Sequence, residues 1–181
     1  MDSSSREKKI EILKSLIQEY PDFPKQGILF RDLFSVFKNV EALQILQELI
    51  FDHTNSLSKS VDVVAALESR GFLIGPLIAI QLKVPFVPIR KPGKLPGNVQ
   101  KVDFELEYGS DSFEVQIDSI KEGQGVLLVD DLLATGGSLE AASKLLTSKG
   151  AKVVENFVIM ELCDLKGRSR LTSPVHSLVK Y

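Results

Sequence analysis

The sequence predicts an α/β fold, a mainly parallel twisted sheet flanked by helices, and three observations support this. Near-continuous apolar runs lie at 61–67 and 125–129, as expected of strands that are buried on both faces. Each run ends in a polar, glycine-containing segment, and a helical pattern follows that segment. Strands that alternate with helices at this spacing are typical of a parallel sheet.

The N-terminal part of the chain is predicted to be mainly helical. Apolar residues at helical spacing predict a helix over 6–19, and Pro21 and Pro24 prevent it from continuing. A short apolar segment follows at 28–34. Asn39 is then placed to cap a long amphipathic helix.

The rest of the chain carries the alternating pattern. Strands are predicted at 61–67, 85–89, 125–129 and 153–162, with helices that end at about Lys83 and Lys149. Two alternating segments, at 104–108 and 113–117, predict a hairpin with its turn at 109–111. Because the sequence contains no repeat or linker, we expect a single domain spanning 1–181.

Composition excludes several classes of function. The 181 residues carry a net charge of -2, so no global cationic field attracts nucleic acid or an anionic membrane. Cys163 is the single cysteine, which excludes an intrachain disulfide and argues against a structural zinc site. There is no signal-peptide pattern and no apolar stretch of about 20 residues. We expect a cytoplasmic protein that binds neither nucleic acid nor membrane.

The segment after the third predicted strand carries the strongest functional signal. Asp130 and Asp131 follow an apolar run, and ligands of open α/β sheets bind beyond the carboxyl ends of strands. Residues 135–138, Thr-Gly-Gly-Ser, then lead into a helix whose backbone N–H groups and dipole attract a phosphate. Acids for sugar hydroxyls followed by donors for phosphate predict a ribose 5-phosphate site. The alternative is a solvated strand end followed by an ordinary helix cap.

The run from Val126 to Ser138 resembles the signature of the type I phosphoribosyltransferase family. That signature is an apolar strand, two acids, a few small or apolar residues and then Thr-Gly-Gly-Thr/Ser. Segments at 21–24, 27–32, 68–72, 90–97 and 106–109 further resemble the members of that family that act on adenine. The resemblance covers the chain from about residue 20 to 170.

The resemblance implies a purine salvage enzyme with the type I phosphoribosyltransferase fold. Such an enzyme converts adenine and phosphoribosyl pyrophosphate, with Mg²⁺, into AMP and pyrophosphate. Mg²⁺ would be held mainly through the substrate, with no direct protein ligand. The resemblance also implies a homodimer, a small hood formed mainly by 20–36 plus a C-terminal part, and a flexible lid hairpin at about 98–118.

The resemblance assigns binding of the two phosphate groups to three segments. Ribose 5-phosphate binding is implied for Asp130, Asp131, Ala134, Thr135, Gly136, Gly137 and Ser138. Pyrophosphate binding is implied for Ser69, Arg70 and Gly71 after the first predicted strand, and for Arg90, Lys91 and Lys94. From the residues alone, Arg70 is suited to pyrophosphate by its guanidinium, whereas 90–94 could equally be a solvated basic loop.

Catalysis and base recognition depend more heavily on the resemblance. Glu107 matches the family's catalytic glutamate, which handles a proton of the purine ring, and Tyr108 follows it in the lid. Glu105 is a nearby alternative that the residues alone do not exclude.

Leu29, Arg31 and Leu162 match positions that contact adenine in the resembled family. Core packing is the alternative for Leu29 and Leu162.

Two other functions stay open from the sequence. One is a phosphoribosyltransferase for another purine, and the other is a ligand-binding regulator with this fold. The presence of Glu107, Arg70 and the basic loop argues against a regulator, as does the lack of an appended DNA-binding segment. A receiver domain also has acids at strand ends, but 135–138 argues against it.

Overall fold

The computed structural model describes residues 1–105 and 110–181, and the chain divides into two units, Met1–Asn55 and Ser56–Tyr181. The first unit contains α1 (Ser3–Leu16), β1 (Gln18–Pro21), β2 (Leu29–Asp32), α2 (Phe34–Phe37) and α3 (Val40–Thr54). Strands β1 and β2 form an antiparallel hairpin. Buried Leu13, Leu46 and Leu49 supply apolar core on α1 and α3.

Capping side chains set the starts of both long helices. Asn39 caps α3 as predicted, because its Oδ1 accepts the Ala42 N–H at 3.1 Å. The first helix begins and ends three residues earlier than predicted, since Asp2 caps it and accepts the Ser5 N–H at 2.9 Å. Residues Gln18 and Glu19, which were predicted to be helical, instead belong to the strand that pairs with 29–32.

The second unit carries the alternating pattern of strands and helices. Its elements are β3 (Val63–Leu67), α4 (Gly75–Leu82), β4 (Phe86–Ile89), β5 (Val99–Glu105), β6 (Ser110–Gln116), β7 (Gly125–Leu133), α5 (Gly137–Thr147), β8 (Lys152–Glu161) and β9 (Val175–Lys180). Five of these strands form one parallel sheet in the order β4-β3-β7-β8-β9. The predicted fold class is thus confirmed.

The apolar runs that predicted the sheet lie at its centre. All five residues of β3 are buried, as are the first five of β7. Helix α5 buries Leu139, Leu145 and Leu146 in the same hydrophobic cluster. Aliphatic side chains on both faces of a strand are stable only when both faces are covered, which explains the uninterrupted runs.

Strand β7 is longer than predicted and includes both acids of the candidate site. The prediction ended it at Val129, but main-chain pairing with β8 continues through Asp130↔Val158 to Leu133↔Glu161. Asp130 and Asp131 therefore lie within the strand, not in a loop. Strand β9, which extends the sheet beyond β8, was not predicted.

The predicted hairpin is present. Strands β5 and β6 pair antiparallel from Val99↔Gln116 to Glu105↔Ser110. Ser110 and Asp111 are therefore strand residues and not turn residues, contrary to the prediction. Leu106 to Gly109 lie outside the described residues. In the part of the chain that is described, no helix is long and apolar enough to cross a membrane.

Candidate active site

An open pocket of about 210 Å³ lies where β7 ends and α5 begins. It is lined by the consecutive residues 130–139 and by Arg70, which follows β3. Strands β3 and β7 are parallel neighbours, so their carboxyl ends meet at one edge of the sheet. The structure thus brings a residue of the predicted pyrophosphate segment to the predicted ribose 5-phosphate segment.

The two acids of the pocket differ in exposure and in partner. Asp131 is buried, and its Oδ2 forms an ion pair with Arg70 Nε at 2.9 Å. Asp130 is partly exposed in the pocket, and its Oδ1 accepts the Asp131 N–H at 2.9 Å. One acid therefore holds the arginine, while the other is partly exposed to the pocket.

The surroundings of the two acids disfavour two negative charges. Burial raises the pKa of Asp130 well above its usual value, and the neighbouring Asp131 charge adds to that rise. Burial also raises the pKa of Asp131, while the Arg70 guanidinium opposes the rise. A cation or a set of hydroxyl donors in the pocket would stabilise both carboxylates.

The absence of a side chain at Gly71 allows the turn that carries Arg70 to pack closely against β7, where Asp131 lies. A Cβ at Gly71 would lie 2.9 Å from the Val129 carbonyl oxygen and 3.4 Å from Asp130 Cα. A larger residue would therefore push the short 3-10 turn Arg70–Leu73 away from the end of β7. Ser69, which precedes this turn, is exposed.

The far side of the pocket is the N-terminus of α5. Gly136 has a φ of +86°, which is the left-handed region that glycine adopts at little cost, and α5 begins at the next residue. The first N–H groups of a helix have no carbonyl partner within it, and Gly137, Ser138 and Leu139 line the pocket. This end of the pocket favours an anion.

The predicted basic segment lies along the hairpin, and acids accompany two of its cations. Arg90 Nε donates to Glu68 Oε2 at 2.6 Å, and Arg90 exchanges two main-chain hydrogen bonds with Glu114. Lys91 forms an ion pair with Asp111. Lys94 is exposed, and its carbonyl accepts from Arg90 Nη1 at 3.2 Å. Among the described residues that line the pocket, Arg70 is the sole member of the predicted pyrophosphate set.

The residues predicted to bind adenine fall in both units. Leu29 is 41% exposed on β2, and Arg31 Nε donates to Glu19 Oε1 at 3.0 Å. Leu162 is half-buried in the second unit, and its N–H donates to the Leu133 carbonyl at 2.9 Å, next to the end of β7. Glu107 and Tyr108, the predicted catalytic and lid residues, lie outside the described part of the chain.

One turn that packs against the pocket segment 130–139 was not predicted from the sequence. Gly167, at the start of the 3-10 turn Gly167–Arg170, is buried against Gly136. Arg168 in the same turn forms an ion pair with Glu161. The local signal was a lone glycine in a polar stretch, and such a glycine does not identify its distant neighbour.

A parallel sheet with adjacent acids at one strand end and a helix N-terminus beyond them defines the phosphoribosyltransferase class. A family model for the phosphoribosyl transferase domain matches residues 35–175. The adenine phosphoribosyltransferase of Drosophila pseudoobscura pseudoobscura is 50% identical over 181 residues, which is 100% of each chain. That of Caenorhabditis elegans is 53% identical over 155 residues, 86% of this chain and 84% of that one.

Solved structures agree with the sequence relatives. Adenine phosphoribosyltransferase from Saccharomyces cerevisiae, complexed with an imino-altritol bisphosphate and adenine, matches with a TM-score of 0.91 and 44% identity. The match covers 96% of this chain and 99% of that one. The chain belongs to the phosphoribosyltransferase family and, within it, to the adenine phosphoribosyltransferases.

Proposed function

We propose that this protein is a purine salvage enzyme that transfers the 5-phosphoribosyl group of phosphoribosyl pyrophosphate to adenine, giving AMP and pyrophosphate. The observation that carries the proposal is the pocket at 130–139, which combines two carboxyl groups with the N-terminus of a helix. Relatives at 43–53% identity are named for this reaction.

The pocket segment binds the ribose 5-phosphate part of the substrate. The 5-phosphate lies on the backbone N–H groups of 134–138, where the dipole of α5 adds to the attraction. The ribose hydroxyls donate to Asp130 and Asp131. Those hydrogen bonds favour the charged forms of two acids whose burial otherwise raises their pKa values.

Pyrophosphate binds at the edge formed by Ser69, Arg70 and Gly71, together with the basic residues Arg90, Lys91 and Lys94. The ion pair with Asp131 orients the Arg70 guanidinium, whose planar set of N–H donors suits a phosphate oxygen. Glu68 orients Arg90 in the same way. Cations held by acids are preorganised, and they stabilise the charge that grows on pyrophosphate as it leaves.

Mg²⁺ accompanies the phosphoribosyl pyrophosphate. The ion would be held mainly through the substrate phosphates, with no direct protein ligand, and the carboxyl groups of Asp130 and Asp131 in the pocket would favour a cation nearby. When bound, the ion would neutralise part of the charge of the pyrophosphate. The protein residues contribute orientation of the ribose and exclusion of water.

Glu107 is the catalytic residue in this proposal, with Tyr108 beside it in the lid at 98–118. As N9 of adenine attacks C1′ and pyrophosphate departs, Glu107 handles the proton of the purine ring. The closed lid keeps water from the oxocarbenium-like centre. Glu107→Gln should lower kcat by about 10²–10⁴-fold and leave the affinity for phosphoribosyl pyrophosphate near the wild-type value. Wild-type turnover in this variant would remove Glu107 from the mechanism.

Adenine contacts are assigned to Leu29 and Arg31, which belong to the hood at 20–36, and to Leu162, which offers an apolar side chain and main-chain groups. Backbone groups satisfy both needs of adenine, an acceptor for its amino group and a donor to its ring nitrogen.

The protein acts as a homodimer in the cytoplasm. Residues 1–181 form one phosphoribosyltransferase domain, which includes the lid and the hood, and the hood consists mainly of 20–36 plus a C-terminal part of the chain. Sedimentation equilibrium would show a mass of twice the 20.0 kDa chain. A monomer over the whole concentration range would contradict the dimer and leave the proposed reaction unaffected.

The reaction is tested by incubating the protein with Mg²⁺, phosphoribosyl pyrophosphate and one of adenine, guanine, hypoxanthine or xanthine. We expect AMP from adenine, with one pyrophosphate released per AMP, and far slower turnover of the other bases. Product from another base and none from adenine would overturn the assignment of adenine. Binding of phosphoribosyl pyrophosphate without product from any base would favour the regulator.

A further inference from the structure

The backbone of the 3-10 turn Gly167–Arg170 contacts the backbone of the pocket segment, residues 130–139. A Cβ at Gly136 would lie 2.5 Å from the Gly167 carbonyl oxygen and 3.2 Å from Gly167 Cα. Conversely, a Cβ at Gly167 would lie 3.0 Å from the Gly136 nitrogen and 2.8 Å from Leu133 Cδ1. Two glycines in such contact leave no side chain to absorb a shift. The position of one backbone therefore limits the position of the other.

Arg168 anchors this turn to the end of the sheet. Its Nε donates to Glu161 Oε1 at 2.5 Å, and its Nη2 donates to Glu161 Oε2 at 2.7 Å. Its Nη1 donates to the Val175 carbonyl at 2.7 Å. Ser177 Oγ donates to the same Glu161 Oε2 at 2.5 Å. Arg168 thus ties the turn that begins at Gly167 to the last residue of β8 and to the first residue of β9.

The partner of Arg168 is a buried carboxylate. Glu161 is 5% exposed, and the hydrogen bonds from Arg168, followed by those from Ser177, lower its pKa. Glu161 is therefore ionised at neutral pH. The planar guanidinium meets it in a two-bond geometry that a lysine cannot reproduce. A bidentate pair at a buried acid fixes the direction of the turn far better than an exposed pair does.

We propose that Arg168 is a positioning residue for the 5-phosphate: held by Glu161, it keeps Gly167 against Gly136 and thereby fixes the N–H donors of 134–138. The inference rests on the proposed function, because those donors are taken to bind the substrate phosphate. Arg168 itself touches no substrate in this account. Its effect passes through the backbone of Gly167.

Loss of the Arg168 anchor should change the binding of phosphoribosyl pyrophosphate more than the chemical step. The 5-phosphate takes no part in bond making, and its contacts form when the substrate binds. Loosening the donors therefore raises the Kd and KM for phosphoribosyl pyrophosphate, with a smaller loss of kcat. We expect Arg168→Met to weaken binding by about tenfold, the equivalent of one hydrogen bond to a charged group.

The chain offers a matched control on the same turn. Arg170 Nε pairs with Glu140 Oε2 at 2.9 Å, and 49% of the Arg170 side chain is exposed. Arg170→Met removes a cation of the same kind from the same turn without touching the buried anchor. Gly167→Ala tests the contact between Gly167 and Gly136 independently, because it inserts a Cβ against the pocket segment and retains Arg168. Arg168→Lys keeps the charge and should restore part of the affinity.

The experiment measures the Kd for phosphoribosyl pyrophosphate by calorimetry, with Mg²⁺ and without adenine, and then kcat, both KM values and Tm. The proposal expects a raised Kd in Arg168→Met and Gly167→Ala, a smaller change in kcat than in Kd, and wild-type values in Arg170→Met. A lower Tm with wild-type Kd in Arg168→Met and Gly167→Ala would overturn it, as would an equal effect in Arg170→Met. If Arg168→Met does not fold, Gly167→Ala and Arg168→Lys decide by the same criteria.

The proposed function is judged separately in the same assay. Wild-type protein that binds phosphoribosyl pyrophosphate but makes no AMP would contradict the reaction, while the Kd values of the variants would still decide the role of Arg168. Wild-type protein that makes AMP at a normal rate, with an unaffected Kd in Arg168→Met and Gly167→Ala, would refute the role of Arg168 alone.

Discussion

Asp130 is a carboxylic acid in surroundings that disfavour its charge. Burial and the adjacent Asp131 raise its pKa, and a group whose folded-state pKa lies above its unfolded value stabilises the fold less as pH rises. Its contribution is complete below the unfolded value of about 3.8 and is lost as pH rises through the folded pKa. The acid is thus kept for the ligand at a cost to stability.

Asp130→Asn should therefore stabilise the free protein at pH 7 by about 0.5–2 kcal/mol and weaken substrate binding. The asparagine oxygen still accepts the Asp131 N–H, so that hydrogen bond is retained. Urea unfolding at pH 7 and near pH 3.8 measures the effect, and the gain should be absent at the lower pH. Asp103→Asn is the control, since hydrogen bonds lower the pKa of that exposed acid and its removal gives no gain. A loss of stability at pH 7 in Asp130→Asn would contradict this account.

Gly136 combines a left-handed backbone with a close contact, and the two effects can be separated. Gly136→Ala and Gly123→Ala both place a Cβ on a left-handed backbone, at φ +86° and +83°, which costs about 1–2 kcal/mol each. No atom lies within 4 Å of the Cβ position at Gly123, whereas the Gly167 carbonyl lies 2.5 Å from that at Gly136.

We expect Gly136→Ala to lose about 1–3 kcal/mol more than Gly123→Ala, because its extra methyl group has no space. It alone should also raise KM for phosphoribosyl pyrophosphate. Urea unfolding and steady-state kinetics of both variants measure this. Equal losses of stability would show that the contact with Gly167 is unimportant.

At the scale of elements, β6 holds the basic loop through a buried acid. Glu114 is 8% exposed, and its Oε2 accepts the Gly93 N–H at 3.0 Å. Its main chain exchanges hydrogen bonds with Arg90 at 3.0 and 2.7 Å. The hairpin and the segment proposed to bind pyrophosphate are therefore one hydrogen-bonded assembly.

Glu114→Leu should leave the Gly93 N–H without its acceptor and loosen the loop, whereas Glu114→Gln keeps an oxygen in place. We expect a weaker affinity for Mg²⁺-pyrophosphate in the leucine variant, by about three- to tenfold for a loss near 1 kcal/mol, and little change in the glutamine variant. Calorimetric titration measures both. Equal affinities in wild type and Glu114→Leu would show that Glu114 does not hold the basic loop in the conformation that binds pyrophosphate.

The elements show where sequence-based prediction is reliable and where it is not. Strands β3 and the first part of β7 were predicted because burial on both faces demands an apolar run, which is a local property. The end of β7 was missed because two acids normally end a strand, and here Asp131 is stabilised by Arg70 from another segment. Strand β9 was missed because it includes His176 and Ser177, and its pairing with β8 is not encoded locally.

For the whole molecule, the carboxyl ends of neighbouring parallel strands lie at one edge of the sheet, and several residues of the predicted site follow those ends. Arg70 follows β3, Arg90 follows β4, Asp130 lies near the end of β7 and Leu162 follows β8. All four strands run in the same direction, so these positions lie at the same edge of the sheet. That rule allows residues far apart in the sequence to be placed at one edge of the sheet from the sequence alone. The contact between Gly136 and Gly167 follows no such rule and needed the structure.

In the proposed complex, the backbone of 134–138 holds the 5-phosphate while Asp130 and Asp131 hold the ribose. A crystal structure of the protein with AMP tests it most directly. We expect phosphate oxygens about 2.7–3.2 Å from the backbone nitrogens of 135–138, and ribose hydroxyls at the same range from the two carboxylates. AMP bound with its phosphate elsewhere, and with no ligand at the N-terminus of α5, would contradict the account.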